Sequence, residues 1–395
     1  MIYFDNGATT FPKPQSVVRA VCDTTRFFGA NPGRSGHDMS LRASKIIYDC
    51  RKNAAEFFGT DDPENVVFTP NCTFALNTVI KGVLKKGDHA VISSLEHNAV
   101  ARPLEFLKKY GISYSVADVV CGDDEQTLNN FRNAIKSNTR LLVCTGASNV
   151  FGIRPPVGRI AAMCKIYGIL FCLDAAQTAG VVPVSVKDDG IDYLCAAGHK
   201  GLYGPMGTGV LVVNSDVVPD GLVQGGTGSM SADLNQPLAL PDRLESGTPN
   251  LAGIAGLDEG IRFVRKRGEQ RIFQKEIALS QRLYDGLSRI DGVELYAGRP
   301  GNNTHVPVVS FNIRGHDSEE IAALLNDRFN IAVRAGLHCA PLAHRSFDTV
   351  QRGTVRAVVS VFTQAAQIDY FVVCINKIIK LLSKKVAIDN KSVLK

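Results

Sequence analysis

Short apolar runs alternate with longer segments whose apolar residues recur at helical spacing. Val66–Thr69, Ala90–Ser93 and Leu141–Cys144 are apolar runs of strand length, whereas Met39–Phe58 has a helical pattern that ends at Gly59. Continuous apolar strands separated by helices are typical of a mostly parallel sheet that helices cover on both faces. The pattern therefore predicts a large α/β domain, to which we assign residues 15–255.

The pattern changes from about residue 291 onward. Strands are expected at Val308–Ile313, Ile331–Arg334 and Val355–Val359, with helices at Ser318–Phe329 and from about Ile368 to Leu382. We therefore expect a smaller α+β domain, formed by residues 1–14 and 256–395.

Composition and charge exclude several classes of protein. Of the 395 residues, 45% are hydrophobic and 21% are charged, as in ordinary globular proteins. The net charge of +6 is mild and gives no indication of a nucleic-acid partner. No apolar run is long enough to span a bilayer, so we expect no membrane partner. One basic cluster is expected to be a solvated helix face, with a docking patch for an acidic partner as the alternative: Arg262, Arg265, Lys266, Arg267, Arg271 and Lys275.

The ten cysteines include no C-x-x-C pair, so we expect no metal site and no thioredoxin motif. Most of them lie in apolar runs, where a thiol behaves as a small hydrophobe, and this usage suggests a reducing cytoplasm. Cys339 differs because it lies in a loop, next to His338 and near Arg334. Basic neighbours favour the thiolate, which is the reactive form of cysteine.

A lysine turn follows the apolar run Tyr193–Ala197, where Lys200 lies between His199 and Gly201. A lysine held in a tight, partly desolvated turn loses its proton more readily and can form a Schiff base with a carbonyl group. The alternative is a glycine-rich turn that merely carries a lysine. Asp174 ends an earlier apolar run. A pyridoxal phosphate enzyme needs at least a lysine that forms the Schiff base and an acid that pairs with the pyridinium nitrogen, and Lys200 and Asp174 are candidates for these two roles.

Three other polar segments follow predicted strands. Cys72 and Thr73 are expected to open a helix, whose N-terminus can hold a phosphate, with an ordinary helix cap as the alternative. His97 follows the run Ala90–Ser93, and a cap or surface role is its alternative. Asn149 lies in a loop after Leu141–Cys144, where open α/β sheets bind ligands.

The motifs D-A-A-Q (174–177), G-H-K (198–200) and G-P-x-G-x-G (204–209) resemble the class V aminotransferase superfamily and, within it, the cysteine desulfurases. The short loop R-x-G-x-H-C-A (334–340) is similar to that of group II desulfurases and selenocysteine lyases. The resemblance runs from about Tyr3 to Leu382. It implies fold type I of the pyridoxal phosphate-dependent transferases, with a mostly parallel seven-stranded sheet, and a homodimer.

The resemblance also implies roles for individual residues toward pyridoxal 5'-phosphate. Lys200 would carry the cofactor, Asp174 would hold its pyridine nitrogen, and His97 would stack on its ring and shuttle protons. Gln177 and Asn149 would contact the phenolic oxygen. The phosphate would be held by Cys72, Thr73, His199 and, across the dimer interface, by Thr248 of the G-T-P-N motif, whose alternative role is a helix cap.

On the same resemblance, Cys339 would accept sulfur from L-cysteine as a persulfide and leave L-alanine. Ala8, Asn149, Arg334 and Arg356 would line the substrate site, with Arg356 gripping the carboxylate as a bidentate fork. A sulfur-acceptor protein would be a partner. The alternatives are selenocysteine lysis with L-selenocysteine as substrate, β-elimination, transamination, or a non-catalytic scaffold that binds the cofactor.

Three positions depart from the family pattern. Ala197 replaces the usual serine before G-H-K, so one phosphate hydrogen bond is lost or made elsewhere. Gly201 is inserted after the lysine, and Gly7 stands where the family has alanine.

Overall fold

A computed structural model describes residues 1–33 and 36–393, and for residues 384–393 it describes the backbone alone. Its α-helices are α1 Gln15–Phe27, α2 Asp38–Phe58, α3 Cys72–Val83, α4 Asn98–Leu107, α5 Asp124–Ala134, α6 Val157–Tyr167, α7 Leu251–Arg267, α8 Glu269–Leu287, α9 Ser318–Phe329, α10 Pro341–Ser346 and α11 Ala365–Val393. Its strands are β1 Ile2–Tyr3, β2 Val66–Thr69, β3 His89–Ser93, β4 Ser113–Ala117, β5 Thr139–Thr145, β6 Leu170–Asp174, β7 Tyr193–Ala197, β8 Gly209–Val213, β9 Val293–Leu295, β10 Val308–Ile313, β11 Ile331–Ala332 and β12 Val355–Val358.

The chain forms two compact units. The larger unit comprises Pro12–Ala147 and Arg154–Ile272, and the smaller comprises Met1–Phe11, Ser148–Ile153 and the residues from Phe273 onward. The domain limits 15–255, 1–14 and 256–395 stay predictions. The limit at residue 255 lies inside α7, whereas the larger unit extends to Ile272.

A seven-stranded sheet with the order β2-β8-β7-β6-β5-β3-β4 forms the centre of the larger unit. Only β8 runs antiparallel to both of its neighbours, which are β2 and β7. The predicted α/β fold with a mostly parallel sheet is confirmed. Its core is built from strand residues such as Val91, Leu142, Phe171 and Leu194, each 0% exposed. Burying such a side chain stabilises a fold by about 1.5–3 kcal/mol.

Local sequence sets the ends of the helices in this unit. The Asn71 side chain accepts the Phe74 amide at 2.9 Å and so begins α3. Gly59, at φ 72°, ends α2 in the left-handed conformation that glycine adopts without strain. Helix α1 begins directly after Pro14 and was not predicted from the sequence.

The smaller unit contains the antiparallel sheet β12-β10-β9 and the parallel pair β1-β11. Phe4 packs edge-on against Phe371 of α11, with ring centroids 5.4 Å apart. The predicted strand over Ile331–Arg334 ends at Ala332, and the predicted helix over residues 368–382 extends from Ala365 to Val393. None of the helices within residues 1–33 and 36–393 is both long and apolar enough to cross a membrane.

All ten cysteines lie in the described part of the chain. Seven are buried, and three, Cys22, Cys121 and Cys339, are exposed. Burial raises the pKa of thiols such as Cys50 and Cys144 well above the ordinary value, so these side chains stay protonated.

Candidate active site

Each unit carries its own group of candidate residues. In the larger unit they follow the carboxyl ends of strands that run in the same direction. Strands β3, β5, β6 and β7 are parallel. Strand β2 also runs in their direction, because it is antiparallel to β8, which is itself antiparallel to β7. Asp174 ends β6, Lys200 follows β7, His97 follows β3 and Cys72 opens α3 after β2. These polar segments therefore meet at one edge of the sheet, where open α/β sheets bind ligands.

Asp174 and Cys72 lie in contact. The Cys72 thiol donates to Oδ1 of Asp174 at 3.5 Å, and the same oxygen accepts the Ala176 amide at 2.9 Å. Burial raises the pKa of Cys72, the Asp174 charge raises it further, and the charge of Lys200 opposes both. The structure thus brings together an acid, a neutral thiol and the candidate lysine.

Close backbone approaches shape the turn that carries Lys200. A Cβ atom at Gly198 would lie 2.2 Å from Oγ1 of Thr208, and one at Gly201 would lie 2.3 Å from the carbonyl oxygen of Ala179. Only glycine fits at either position. The inserted Gly201 is therefore a packing requirement of this turn, which is closed by the Tyr203 amide bonding to the Lys200 carbonyl at 2.8 Å.

His199 and Ala197 flank this turn. Burial, together with the charges of Lys200 and Lys13, lowers the pKa of His199 to about 4, so the imidazole is neutral. Lys13 donates from Nζ to the His199 carbonyl at 2.7 Å. Ala197 is 3% exposed, and its methyl group offers no hydrogen bond in place of the family serine.

His97 begins helix α4, because its Nδ1 accepts the Ala99 amide at 3.0 Å. In a neutral imidazole, this bond places the proton on Nε2. The preceding Glu96 is 0% exposed, and its Oε1 accepts the Ser93 hydroxyl and, at 2.7 Å, the Thr145 amide. Burial raises the pKa of Glu96 to about 8, with a further contribution from the Asp174 charge.

Thr248 is exposed and does not cap α7. The cap is Asn250, whose side chain accepts the Gly253 amide at 3.0 Å. Thr248 instead lines a cavity of about 500 Å³, whose floor includes Arg51 and Glu245, paired at 2.8 Å. Thr73 is exposed at the second position of α3, and Gln177 is half-buried in the turn after β6.

The candidate residues of the smaller unit converge on Arg356, which is 1% exposed. Its Nη1 donates to the Asn149 carbonyl at 2.7 Å and its Nη2 to Oδ1 of Asp5 at 2.9 Å. Burial lowers the pKa of Arg356, and Asp5 opposes that shift. The Ala8 amide bonds to the Asp5 carbonyl at 3.0 Å, which brings Ala8 into the same group.

Gly7 leaves room for this arginine. A Cβ atom there would lie 3.1 Å from Cζ of Arg356 and 3.0 Å from Cγ2 of Val358. Alanine at this position would press on the guanidinium group, so the departure from the family pattern has a packing reason.

Cys339 lies on an unusual stretch of backbone. His338 and Cys339 both have positive φ, at 49° and 57°, a conformation that non-glycine residues rarely adopt and that often marks functional loops. Nη2 of Arg334 lies 3.9 Å from the exposed Cys339 sulfur. The Asn149 side chain donates to the His338 carbonyl at 2.7 Å.

His338 does not supply the positive charge that its position next to Cys339 suggests. Burial lowers the pKa of His338 to about 2, and its Nε2 bonds to the Thr354 carbonyl at 3.0 Å. The charges of Arg356 and Arg334 disfavour an imidazolium further. Arg334 is therefore the cation beside the thiol.

Sequence reasoning missed three residues of these groups: Asp5, Lys13 and Glu96. Asp5 and Glu96 stand inside the motifs D-N-G-A and E-H-N-A, and Lys13 stands between two prolines. The sequence signal that could have identified Lys13 is its place between two prolines, which restrain its backbone. Two residues of the basic cluster pair with carboxylates: Arg262 pairs with Asp258, and Arg265 pairs with Glu56.

Comparison with known proteins gives one consistent family. The model of the family "Aminotransferase class-V" matches residues 2–371. A "Probable cysteine desulfurase" from Methanothermobacter thermautotrophicus is 33% identical over 376 residues, which cover 93% of this chain and 92% of the relative. One from Pyrococcus abyssi is 34% identical, covering 97% of this chain and 95% of the relative.

Solved structures agree. The apo structure of a cysteine desulfurase from Thermococcus onnurineus NA1 has a TM-score of 0.87 and 34% identity, covering 96% of this chain and 94% of its own. The Escherichia coli cysteine desulfurase CsdA has a TM-score of 0.85 and 25% identity over the same 96% of this chain and 94% of its own. The chain therefore belongs to the class-V aminotransferase family, among relatives that are cysteine desulfurases.

Proposed function

We propose that this protein is a pyridoxal phosphate-dependent cysteine desulfurase, which converts L-cysteine to L-alanine and passes the sulfur to Cys339. One observation supports the proposal most strongly. Cys339 is exposed in a loop where its backbone has the left-handed conformation, and Nη2 of Arg334 lies 3.9 Å from its sulfur. A guanidinium at this position can stabilise the charge on an attacking sulfur. Seven of the other nine cysteines are buried.

The larger unit has groups that fit the cofactor on which this family depends. Oδ1 of the buried Asp174 accepts from an amide and a thiol, both neutral, so the carboxylate can pair with a pyridinium nitrogen. The amides of Cys72 and Thr73 open α3 and have no acceptor within the helix, which suits a phosphate. Gly198 and Gly201 keep the lysine turn free of Cβ atoms. When bound, pyridoxal phosphate supplies a sink for the electrons released at the substrate α-carbon.

The roles of the larger unit's residues follow from their chemistry. Lys200 carries the cofactor and accepts the α-proton, which requires its neutral amine. Asp174 holds the pyridine nitrogen in its protonated form. His97, with Nδ1 engaged by the Ala99 amide, would stack on the cofactor ring. Gln177 would bond the phenolic oxygen, and the neutral His199 would donate to the phosphate.

The smaller unit has groups that fit an amino-acid substrate. Among the described residues, the buried Nε of Arg356 and Oδ1 of Asn149 have no hydrogen-bond partner. A buried donor left without an acceptor costs about 1–3 kcal/mol, and a substrate carboxylate would satisfy Nε. The Asn149 carbonyl occupies Nη1 and Asp5 occupies Nη2, so Arg356 would grip the carboxylate through its Nε edge. Ala8 and Arg334 complete this lining.

Sulfur transfer to Cys339 requires no added oxidant. The Cys339 thiolate attacks the substrate sulfur, so an S–S bond forms as the carbon–sulfur bond breaks. The carbon takes a proton and leaves as alanine, and Cys339 keeps the sulfur as a persulfide. A sulfur-acceptor protein then removes it.

A homodimer belongs to the same proposal, with Thr248 reaching the phosphate of the second copy. The exposed Thr248 lines a cavity bordered by the exposed side chains of Tyr48 and Val223, 56% and 49% accessible. Exposed apolar groups around a cavity are typical of a protein interface. Sedimentation is expected to give a dimer, and a fully active monomer would exclude it. A cytoplasmic location stays a prediction from cysteine usage.

The deciding experiment compares Cys339→Ser with Cys121→Ser, which alters another exposed thiol. Alanine and sulfide are assayed together after L-cysteine is added. We expect Cys121→Ser to match the wild type, whereas Cys339→Ser binds the cofactor but makes no alanine from cysteine. Mass spectrometry should find one added sulfur on the wild-type Cys339 peptide. Alanine at the wild-type rate from Cys339→Ser would refute the desulfurase.

A further inference from the structure

Lys13 lies far from the lysine turn in sequence but contacts it in the larger unit. It stands between Pro12 and Pro14, directly before α1, and its Nζ donates to the His199 carbonyl at 2.7 Å. A residue before proline is restricted to extended backbone, and each proline fixes its own φ. The Lys13 side chain therefore starts from a restrained point and ends on the residue that precedes Lys200.

This lysine is unlike an ordinary surface lysine. It is half-buried, and burial lowers its pKa to about 8. Its charge and that of Lys200 both act on the His199 imidazole, so the two ammonium groups share one neighbourhood. Like charges in a partly desolvated region disfavour each other's protonated forms.

We propose that Lys13 is a positioning residue of the Lys200 turn: it holds the His199 carbonyl and places a second positive charge near Lys200, so that Lys200 loses its proton more readily. The inference rests on the proposed role of Lys200, which needs a neutral amine to take up the cofactor. The Asp174 carboxylate opposes the effect, because it favours a protonated lysine. Other titratable groups around this edge of the sheet include Cys72, Glu96, His97, His199 and Glu269, whose carboxylate accepts the amide of Gly180 beside Gly201.

The test measures the protonation of Lys200 directly, in the full-length chain freed of cofactor. A brief pulse of an amine-reactive reagent is applied over a range of pH, and mass spectrometry quantifies the labelled Lys200 peptide. The variants are Lys13→Met, Lys13→Gln, which keeps a donor without charge, and Lys13→Arg, which keeps the charge. Lys275→Met is the matched control, because Lys275 also donates from Nζ to a carbonyl, that of Val361, at 2.7 Å.

We expect the pH midpoint of Lys200 labelling to rise by about 1 pH unit in Lys13→Met and Lys13→Gln, the size of a like-charge interaction across a partly solvated gap. Lys13→Arg and Lys275→Met should keep the wild-type midpoint. An unchanged midpoint in Lys13→Gln overturns the proposal, and that variant decides the matter if Lys13→Met does not fold. The labelling needs no bound cofactor, so it tests the proposal independently of the proposed function. The proposed function would fail in a different experiment, if the cofactor were found attached to a different lysine.

Discussion

Nη2 of Arg356 donates to Oδ1 of Asp5 at 2.9 Å, across 351 positions of sequence. The arginine side chain is 1% exposed and the aspartate side chain 22% exposed. A buried guanidinium without a counter-charge is costly, so Asp5 is needed for Arg356 to stay charged inside the smaller unit.

Asp5→Asn should therefore destabilise the protein strongly. Removing one partner of a buried ion pair costs about 3–5 kcal/mol, because the other charge is left uncompensated. The control is Asp369→Asn, which breaks the exposed pair with Arg282 at 2.7 Å and should leave the free energy of unfolding unchanged. Urea unfolding measures both, and equal effects would contradict the role of Asp5.

Asp174→Asn should slow removal of the substrate α-proton by about 100-fold or more, because an ion-paired contact to the pyridinium becomes a neutral one. Proton exchange at the α-carbon, followed by NMR in deuterated water, isolates this step. Asp192→Asn is the control, since Asp192 accepts the Phe171 amide at 2.7 Å near the other end of β6. Near-normal exchange in Asp174→Asn would refute the role.

Glu96 should make stability fall as pH rises. Its folded pKa of about 8 lies above the ordinary 4.5, so between those values the unfolded chain loses a proton that the folded chain keeps. The stabilisation is complete below pH 4.5 and is lost as pH rises toward 8. Glu96→Gln should flatten this part of the stability curve, measured by urea unfolding at several pH values. The exposed Glu64→Gln should keep the wild-type slope, and a steep slope in Glu96→Gln would argue against the assignment.

Borohydride reduction of the yellow holoprotein should fix the cofactor to the peptide that contains Lys200. Lys200 is the lysine in the glycine-lined turn after β7, at the edge of the sheet where Asp174 ends β6. Lys200→Arg should abolish the attachment, because guanidinium stays protonated. Peptide mapping that places the label on Lys13 would move the site to the neighbouring lysine.

The strand and helix pattern of the larger unit was predictable because each element carries its own signal. Val66–Thr69 is a continuous apolar run, and Gly59 marks the end of α2. Helix α1 was missed because Pro12 and Pro14 suggested a loop, although proline directly before a helix is compatible with its start. The sequence pattern indicates one long helical region from about Leu251, whereas Gly268, at φ 81°, divides it into α7 and α8.

The candidate site was predictable where a motif names the residue, as for Lys200, Asp174 and Cys339. The burial and the charge state of the site residues could not be predicted from the sequence. Sequence placed His338 as a basic neighbour of Cys339, yet its imidazole is buried and neutral because tertiary packing surrounds it. The contact of Lys13 with His199 joins residues 186 positions apart, and no local pattern encodes it.

The distribution of the thiols makes this chain suitable for probe attachment. Cys22 and Cys121 are the exposed cysteines besides Cys339, and the other seven are buried. Replacing Cys22 and Cys121 with serine would leave one accessible thiol, so a fluorophore or spin label could be attached at Cys339 alone. Such a labelled chain would test whether the proposed sulfur-acceptor protein binds at this loop.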